Sequence, residues 1–246
     1  MSTELAPADQ ATESKGQHIE GDQCVVLSDV GWEGYSKLLK IRSDRSVPRM
    51  IYLDGSLRLM SPSIPHERFA ELLGAFVLVV AEELDIPLLM AGSTTFRRRA
   101  KRGGVEGDKT FYFTNLDRIR GKKKLHLRVD PPPDLAIEVV VSHDANDAVE
   151  VYRRIGVPEV WICEATRLTI LCLESGGRYA KSERSRVFPV LTAGEIHAWV
   201  SRQNNESDTA WTKELRRWVA EVLAPRYREL KQKLATEIEK LEEEAS

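Results

Sequence analysis

Two acidic residues in apolar surroundings are where this chain is best equipped for chemistry. Glu138 interrupts the run PPPDLAIEVVV, Pro131 to Val141, and Asp108 precedes a short run of apolar and aromatic residues in GVEGDKTFYF. Short β-branched runs opened by prolines read as buried strands. An unpaired charge inside such a strand is costly, so the Glu138 carboxylate requires a bound metal, a basic partner, or a place near the sheet edge where water reaches. Two carboxylates on neighbouring strands can hold a divalent cation through hard oxygen ligands, and the backbone carbonyl of Val139 could fill another position. Such an ion polarises a phosphoryl oxygen and acidifies a bound water. Phosphodiester hydrolysis needs both, together with positive charge at the transition state. Asp134 shares the strand parity of Glu138, but about 13 Å of regular strand separates them, too far for one ion. The expected pair is Asp108 with Glu138, and Asp134 reads as a strand-opening residue.

Other candidates surround this pair. His66 and Glu67 fall in the first turn of an expected helix, where they either cap and solvate that turn or face the acidic site. Two basic runs, RRRAKR from Arg97 to Arg102 and GKKK from Gly121 to Lys124, flank the Asp108 segment. They are either solvated loops or, if both line one side of a cleft, a cradle for a phosphate backbone with steeply salt-dependent affinity. Sparse aromatic interleaving gives no sign of single-strand stacking. An ion pair of the acids with Arg97 or Arg99 is the structural alternative to a metal. His143, beside Asp144, reads as a turn residue.

The elements that must position these residues follow from periodicity. Residues 1–22 are rich in Ser, Thr, Gln, Glu and Ala and read as a disordered tail. From Cys24 to Leu39 the pattern suits a short strand and a helix starting near Ser28. RMIYLDGSLRLMSP alternates on both sides of Asp54-Gly55, a hairpin signal. From Pro65, Phe69, Leu72, Leu73, Phe76 and Val80 form one helical stripe of about five turns, ended by Pro87. Leu88 to Phe96 reads as one strand, and Asp108 is expected on the next, with Lys109 facing the other way. DANDAVEVYRRIG suits a short helix with Asp144 as N-cap and Gly156 as its stop. EVWIC, RLTILCLES and RYAKSE read as strands with a Gly176-Gly177 turn. After a polar linker from Ser201 to Asp208, Trp211, Leu215, Trp218 and Val222, then Tyr227, Leu230, Leu234, Ile238 and Leu241, mark an amphipathic helix broken or kinked near Pro225. It either packs back on its own domain or pairs with a second chain. The sum is a mixed α/β sheet flanked by helices, with a domain over 23–200 and a helical extension over 201–246.

Composition bounds the setting. The 246 residues are 42% hydrophobic and 30% charged, enough for one sizeable core with tails, and the net charge of −2 confines any nucleic-acid contact to local basic patches. Cys24, Cys163 and Cys172 have no CxxC spacing and leave an odd count, which argues for a reducing compartment and against a zinc ribbon. No apolar run approaches bilayer length. A cytoplasmic protein without a membrane contact is the expectation.

The order and spacing of DGSLRLMSPSIPHERF, GVEGD, PPDLAIEVVVSHD, YRRIGVPEVWI and the closing RY…FPVL make the region from about Ile51 to Trp199 resemble the Uma-type family of restriction endonucleases within the PD-(D/E)XK nuclease superfamily. The resemblance implies a restriction-endonuclease-like fold and a Mg²⁺-dependent DNA phosphodiesterase, Mn²⁺ being the alternative ion. It puts Asp108 and Glu138 at the two acidic positions and Leu135 to Val140 in the central strand. The superfamily's lysine, two residues after the second acid, is here Val140. The Uma-type group carries it on the next helix, where this chain has Asp147 and Ala148 before Tyr152, and no lysine lies between Lys124 and Lys181. Arg153 is the expected substitute, with Arg154, Lys101 or another residue of the 97–102 run behind it. His66, Glu67, Arg97, Arg99 and Lys101 are the expected substrate contacts. A nuclease-like module that binds DNA or assembles without turnover is the alternative, and the C-terminal helix offers a homodimer contact unless it packs back on its own domain.

Overall fold

A computed structural model describes residues 21–142, 144–202 and 207–244; His143 and part of the polar linker lie outside them, as do residues 1–20 of the expected tail. Eleven described strands form two sheets. The first, β1 (Gln23–Leu27), β2 (Arg49–Leu53), β3 (Ser56–Ser61), β5 (Thr95–Arg98) and β6 (Gly103–Glu106), runs in the order β1-β3-β2-β6-β5 and is antiparallel throughout. The second contains β4 (Leu89–Met90), β7 (Lys109–Tyr112), β8 (Leu135–Val140), β9 (Glu159–Glu164), β10 (Arg167–Leu173) and β11 (Tyr179–Ser182), in the order β11-β10-β9-β8-β7-β4. Its β8–β9 pair is parallel, as a crossover helix between them requires. That helix is α4 (Asn146–Ile155). The others are α1 (Trp32–Arg42), α2 (Ile64–Glu83), the single turn α3 (Leu116–Ile119), α5 (Ala193–Val200), α6 (Asp208–Trp218) and α7 (Ala224–Glu244).

Each helix buries the face its spacing dictates. On α2, Ala70, Leu73, Phe76, Val77 and Val80 pack with β7, β8, α5 and α6 into the largest apolar cluster, which includes Trp161, Phe188, Trp199 and Trp211. On α4, Ala148, Val151, Tyr152 and Ile155 recur at i, i+3, i+4 and i+7. They join Ile51, Phe96 and Val105 of the first sheet to Tyr112, Ala136 and Val160 of the second. The crossover helix is therefore the mortar between the two sheets.

Several local expectations shift. The stretch Leu88 to Phe96 divides into β4 and β5, which belong to different sheets. Asp108 lies between β6 and β7, on the segment that carries the chain from one sheet to the other, rather than within a strand. Lys109 does face away from Asp108, pairing with Glu71 at 2.7 Å. Asp134 opens β8 by accepting hydrogen bonds from the amides of Phe113 (2.7 Å) and Thr114 (2.9 Å). Ala145, not Asp144, is the N-cap of α4, and Asp144 Oδ1 accepts from the Asn146 amide instead. Pro225 does not break the C-terminal helix. A π-helical turn over Val219–Leu223 joins α6 to α7, absorbing the lost amide and the ring's clash with the preceding turn.

Packing is tight where α1 meets the first sheet. A Cβ at Gly104 would overlap the Tyr35 hydroxyl and come within 2.9 Å of the ring carbon Cε1. That hydroxyl is buried and has no hydrogen-bond partner among the described residues. We expect Gly104→Ala to destabilise the protein by about 1–3 kcal/mol through overpacking. Tyr35→Phe, which removes an unsatisfied buried group, should be neutral or stabilising and should recover part of the Gly104→Ala loss; thermal unfolding of the two single variants and the double variant measures both.

Candidate functional site

The two acids meet at the junction of the sheets. Glu138 projects from β8 and is 7% exposed; Asp108, at the mouth of β7, is 3% exposed. Asp108 Oδ2 accepts the Val139 amide at 2.7 Å. Its other oxygen, Oδ1, is held by Arg49 Nη1 and lies 2.9 Å from His66 Nε2. Glu138 Oε1 accepts the Tyr152 hydroxyl at 2.5 Å, so the apolar stripe of α4 also delivers the site's neutral donor. Gly107 makes room for this pair: a Cβ there would overlap the Tyr152 hydroxyl and sit 3.1 Å from Glu138 Oε1.

The surroundings set the charges unequally. Burial, and next the charge of Asp108, push the Glu138 carboxyl up to about 8, against the pull of the Tyr152 hydrogen bond and of Arg49 and His66. Burial disfavours a charged His66, yet its bonds to Asp108 and Asp22 outweigh that and raise it above its ordinary value. His66 Nδ1 lies 3.0 Å from Asp22 Oδ2, and Asp22 Oδ1 accepts from the amide and hydroxyl of Ser63, the N-cap of α2, at 2.8 and 2.9 Å. Burial also opposes the Asp22 charge, but these bonds hold its carboxyl below the usual range. Arg49 Nη2 donates to Glu67 Oε1 at 2.7 Å, and the Glu67 side chain is the most open of the group, 41% exposed.

Asp108, Glu138, Val139, His66 and Glu67 are thus brought together, and the remaining expected residues are not. Arg153 is turned away: it donates to both oxygens of Glu150 and, at 3.0 Å, to the Gly177 carbonyl at the β10–β11 turn. Arg154 is bound to Asp54 and Glu150. Both are engaged away from the acidic pair. Among the described residues the guanidinium at the site is that of Arg49, from β2, and Asp108 pairs with it and with His66 rather than with Arg97 or Arg99. Nothing in the local sequence marks Arg49, whose partner lies 59 positions away. Asp22, assigned by composition to the tail, is buried beside His66.

Arg97 and Arg99 line a separate groove of about 940 Å³ with Arg98, Lys123, Lys124 and Arg128, and no carboxylate lines it. Arg99 reaches Glu33 across 3.2 Å in an exposed pair. Lys101 is outside the groove, exposed in a short 3-10 turn over Arg99–Lys101. Thr95, on the groove wall, donates its hydroxyl to Glu106, two residues before Asp108. The basic surface and the acidic pair are therefore reached from one short piece of chain.

Among the described residues no three His, Cys, Asp or Glu side chains are arranged to hold a metal ion. Asp108 and Glu138 supply two hard carboxylates beside a strand backbone. This donor set fits Mg²⁺, which keeps several waters and binds through one or two carboxylates plus substrate phosphate, and does not fit a structural zinc. No described helix is long and apolar enough to cross a membrane.

No curated protein matches the chain. Among solved structures, a putative nuclease belonging to DUF820 from Anabaena variabilis is similar at 10% identity with a TM-score of 0.47, covering 65% of this chain and 96% of its own. The family model Uma2, described as "Putative restriction endonuclease", matches residues 32–201, more than two thirds of the chain and every strand from β2 to β11: the protein belongs to the Uma2 family.

Proposed function

We propose that this chain is a divalent-metal-dependent endonuclease hydrolysing DNA phosphodiester bonds, with Asp108 and Glu138 as side-chain ligands for Mg²⁺ or Mn²⁺ and Val139 lending its carbonyl. One observation carries the reading. Asp108 and Glu138 are both buried at the junction of the sheets, with Asp108 Oδ2 2.7 Å from the amide of Val139, the residue next to Glu138, and a divalent cation relieves the conflict of two carboxylates gathered away from water. When bound there, the ion would supply a Lewis acid for a phosphoryl oxygen and acidity for a water. The chain's own residues do the rest. Arg49 provides a fixed positive charge in place of the absent lysine; a guanidinium does not deprotonate at working pH, so it stabilises charge and does not act as a base. His66 and Asp22 hold Asp108 and the first turn of α2 in place, while Tyr152 orients Glu138. The groove of Arg97, Arg98, Arg99, Lys123, Lys124 and Arg128 suits a phosphate backbone.

A specific observation also favours the alternative, a DNA-binding module without turnover: both oxygens of Asp108 are already engaged by Arg49, His66 and the Val139 amide. Incubation with supercoiled plasmid and Mg²⁺ or Mn²⁺ separates the two. Turnover predicts nicking that disappears in Asp108→Ala and Glu138→Ala, falls about 10²-fold or more in Arg49→Ala, and persists in Arg153→Ala. Absence of nicking above the Asp108→Ala background selects the binding module.

Stability should depend on pH in a direction set by the same pair. Glu138 is raised from 4.5 to about 8 in the folded chain, so across that window the native state holds a proton that the unfolded state releases, and stability falls as pH rises. The raised His66 adds to the fall, because its stabilisation is present below its ordinary value of 6.5 and is lost as pH climbs through the folded one. Denaturant titrations of metal-free protein should show this decline, flattened in Glu138→Gln. A carboxylate must be unprotonated to bind metal, so the rise in melting temperature on adding Mn²⁺ should be larger above about 8 than below it.

For the groove, neutralising Lys123, Lys124 and Arg128 to Gln should weaken duplex binding for all sequences alike. The slope of log K against log salt should become shallower by about 0.9 for every phosphate that the variant no longer neutralises, as fluorescence anisotropy across a salt series would read. An unchanged slope would place the DNA elsewhere.

A further inference from the structure

The distal half of α7 stands away from the fold. Tyr227 and Leu230 still pack on the main core, but every described residue from Lys231 to Glu244 is exposed. That is about 21 Å of helix at 1.5 Å per residue that no other described element covers. Leu234, Ile238 and Leu241 are 50%, 55% and 60% exposed and, at i, i+4 and i+7, lie on one face. A helix segment of this length draws its stability mainly from a packed apolar face, and here that face packs against no other element among the described residues. The segment also lies beyond the family match, which ends at residue 201.

Its charges say what covers that face. From Arg226 to Lys233 the helix carries Arg226, Arg228, Lys231 and Lys233 against Glu229 alone, so the distal half opens on two lysines; from Leu234 to its end it carries Glu237, Glu239, Glu242, Glu243 and Glu244 against Lys240 alone. No basic residue occupies the last turn, so carboxylates crowd the end where the helix dipole disfavours them. The arrangement is unfavourable for a lone helix and complementary to its own reverse. A parallel mate would set acidic end on acidic end. An antiparallel one sets Lys231 and Lys233 beside Glu243 and Glu244 of the other copy. The intrahelical pair Lys233–Glu229, 2.7 Å apart and open to solvent on both sides, is too weak to compete.

We infer that the distal half of α7 is an antiparallel homodimerisation helix whose partner is a second copy of this chain. In a two-fold arrangement the contact is self-complementary: Leu234 faces Leu241 of the second copy, and Ile238 packs near the axis against its own equivalent. The two nuclease-like domains then stand at opposite ends of the pair.

Sedimentation velocity on the full chain tests this. The expected mass is twice the 27.8 kDa of one chain, weakening as salt rises. Leu234→Asp combined with Ile238→Asp should give folded monomers, since both side chains are exposed in one chain, with thermal unfolding that no longer depends on protein concentration. Orientation is read in a Cys24→Ser background, which removes the exposed native thiol. Leu234→Cys chains mixed with Leu241→Cys chains should form disulfide-linked pairs on mild oxidation, and Leu234→Cys alone should not. A monomeric wild type, a double-Asp variant that stays dimeric, or self-linking of Leu234→Cys would each overturn the inference.

Discussion

The buried carboxylate of Asp108 is the point on which both the architecture and the site depend. Its partners come from three different places: Arg49 opens β2 in the first sheet, His66 stands in the first turn of α2, and the Val139 amide belongs to the central strand of the second sheet. One anion therefore ties two sheets and a helix at the place where the chain passes between them. Losing a single partner from such a buried set leaves an uncompensated charge, which costs roughly 3–5 kcal/mol. The geometry of the acidic site is thus enforced by fold stability and does not depend on a ligand to hold it together.

Glu138 has been given a different environment. Among the described residues it receives a single neutral donor, Tyr152, against the full weight of burial. A buried carboxyl whose surroundings raise its proton affinity, as they do for Glu138, is a recurrent feature of sites that bind metal or transfer protons. Asp108 is the anchored member, with its orientation fixed on both oxygens; Glu138 is the member with capacity to spare. Arg49 links the buried pair to the open rim through Glu67, so a group arriving from solvent would meet Glu67 and the guanidinium before the acids.

The legible parts of the fold are those written in local pattern. The stripe from Phe69 to Val80 yields α2 almost to its ends, Asp54-Gly55 yields the β2–β3 hairpin with both residues at positive φ, and carboxylates in apolar runs single out Asp108 and Glu138. Arg153 stands on the wrong face for a reason equally local. Ala148, Val151, Tyr152 and Ile155 define the inward stripe of α4, and that spacing already turns 153 and 154 outward. Arg49 and Asp22 are illegible for another reason. An arginine opening a strand and an aspartate after a polar stretch are ordinary surface residues until a contact many positions away buries them. Asp22 and His66 are 44 residues apart, and no periodicity encodes such a pairing.

The C-terminal helix carries the same lesson about where a domain ends. The family match stops at residue 201, yet Trp211, Leu215, Val219 and Leu223 are fully or almost fully buried with α2 and α5. The Trp211 indole donates to the Trp199 carbonyl at 3.0 Å, and Arg216 binds both Glu82 and Glu83 at the end of α2. α6 is accordingly part of the core and not an appendage. A proline two residues past this buried segment would normally end it. The π turn over Val219–Leu223 instead widens the helix just enough to keep Val219 and Leu223 on the core and to carry the axis onward. Packing on the main core continues into α7 as far as Leu230, beyond which the apolar stripe goes on while every described residue is exposed.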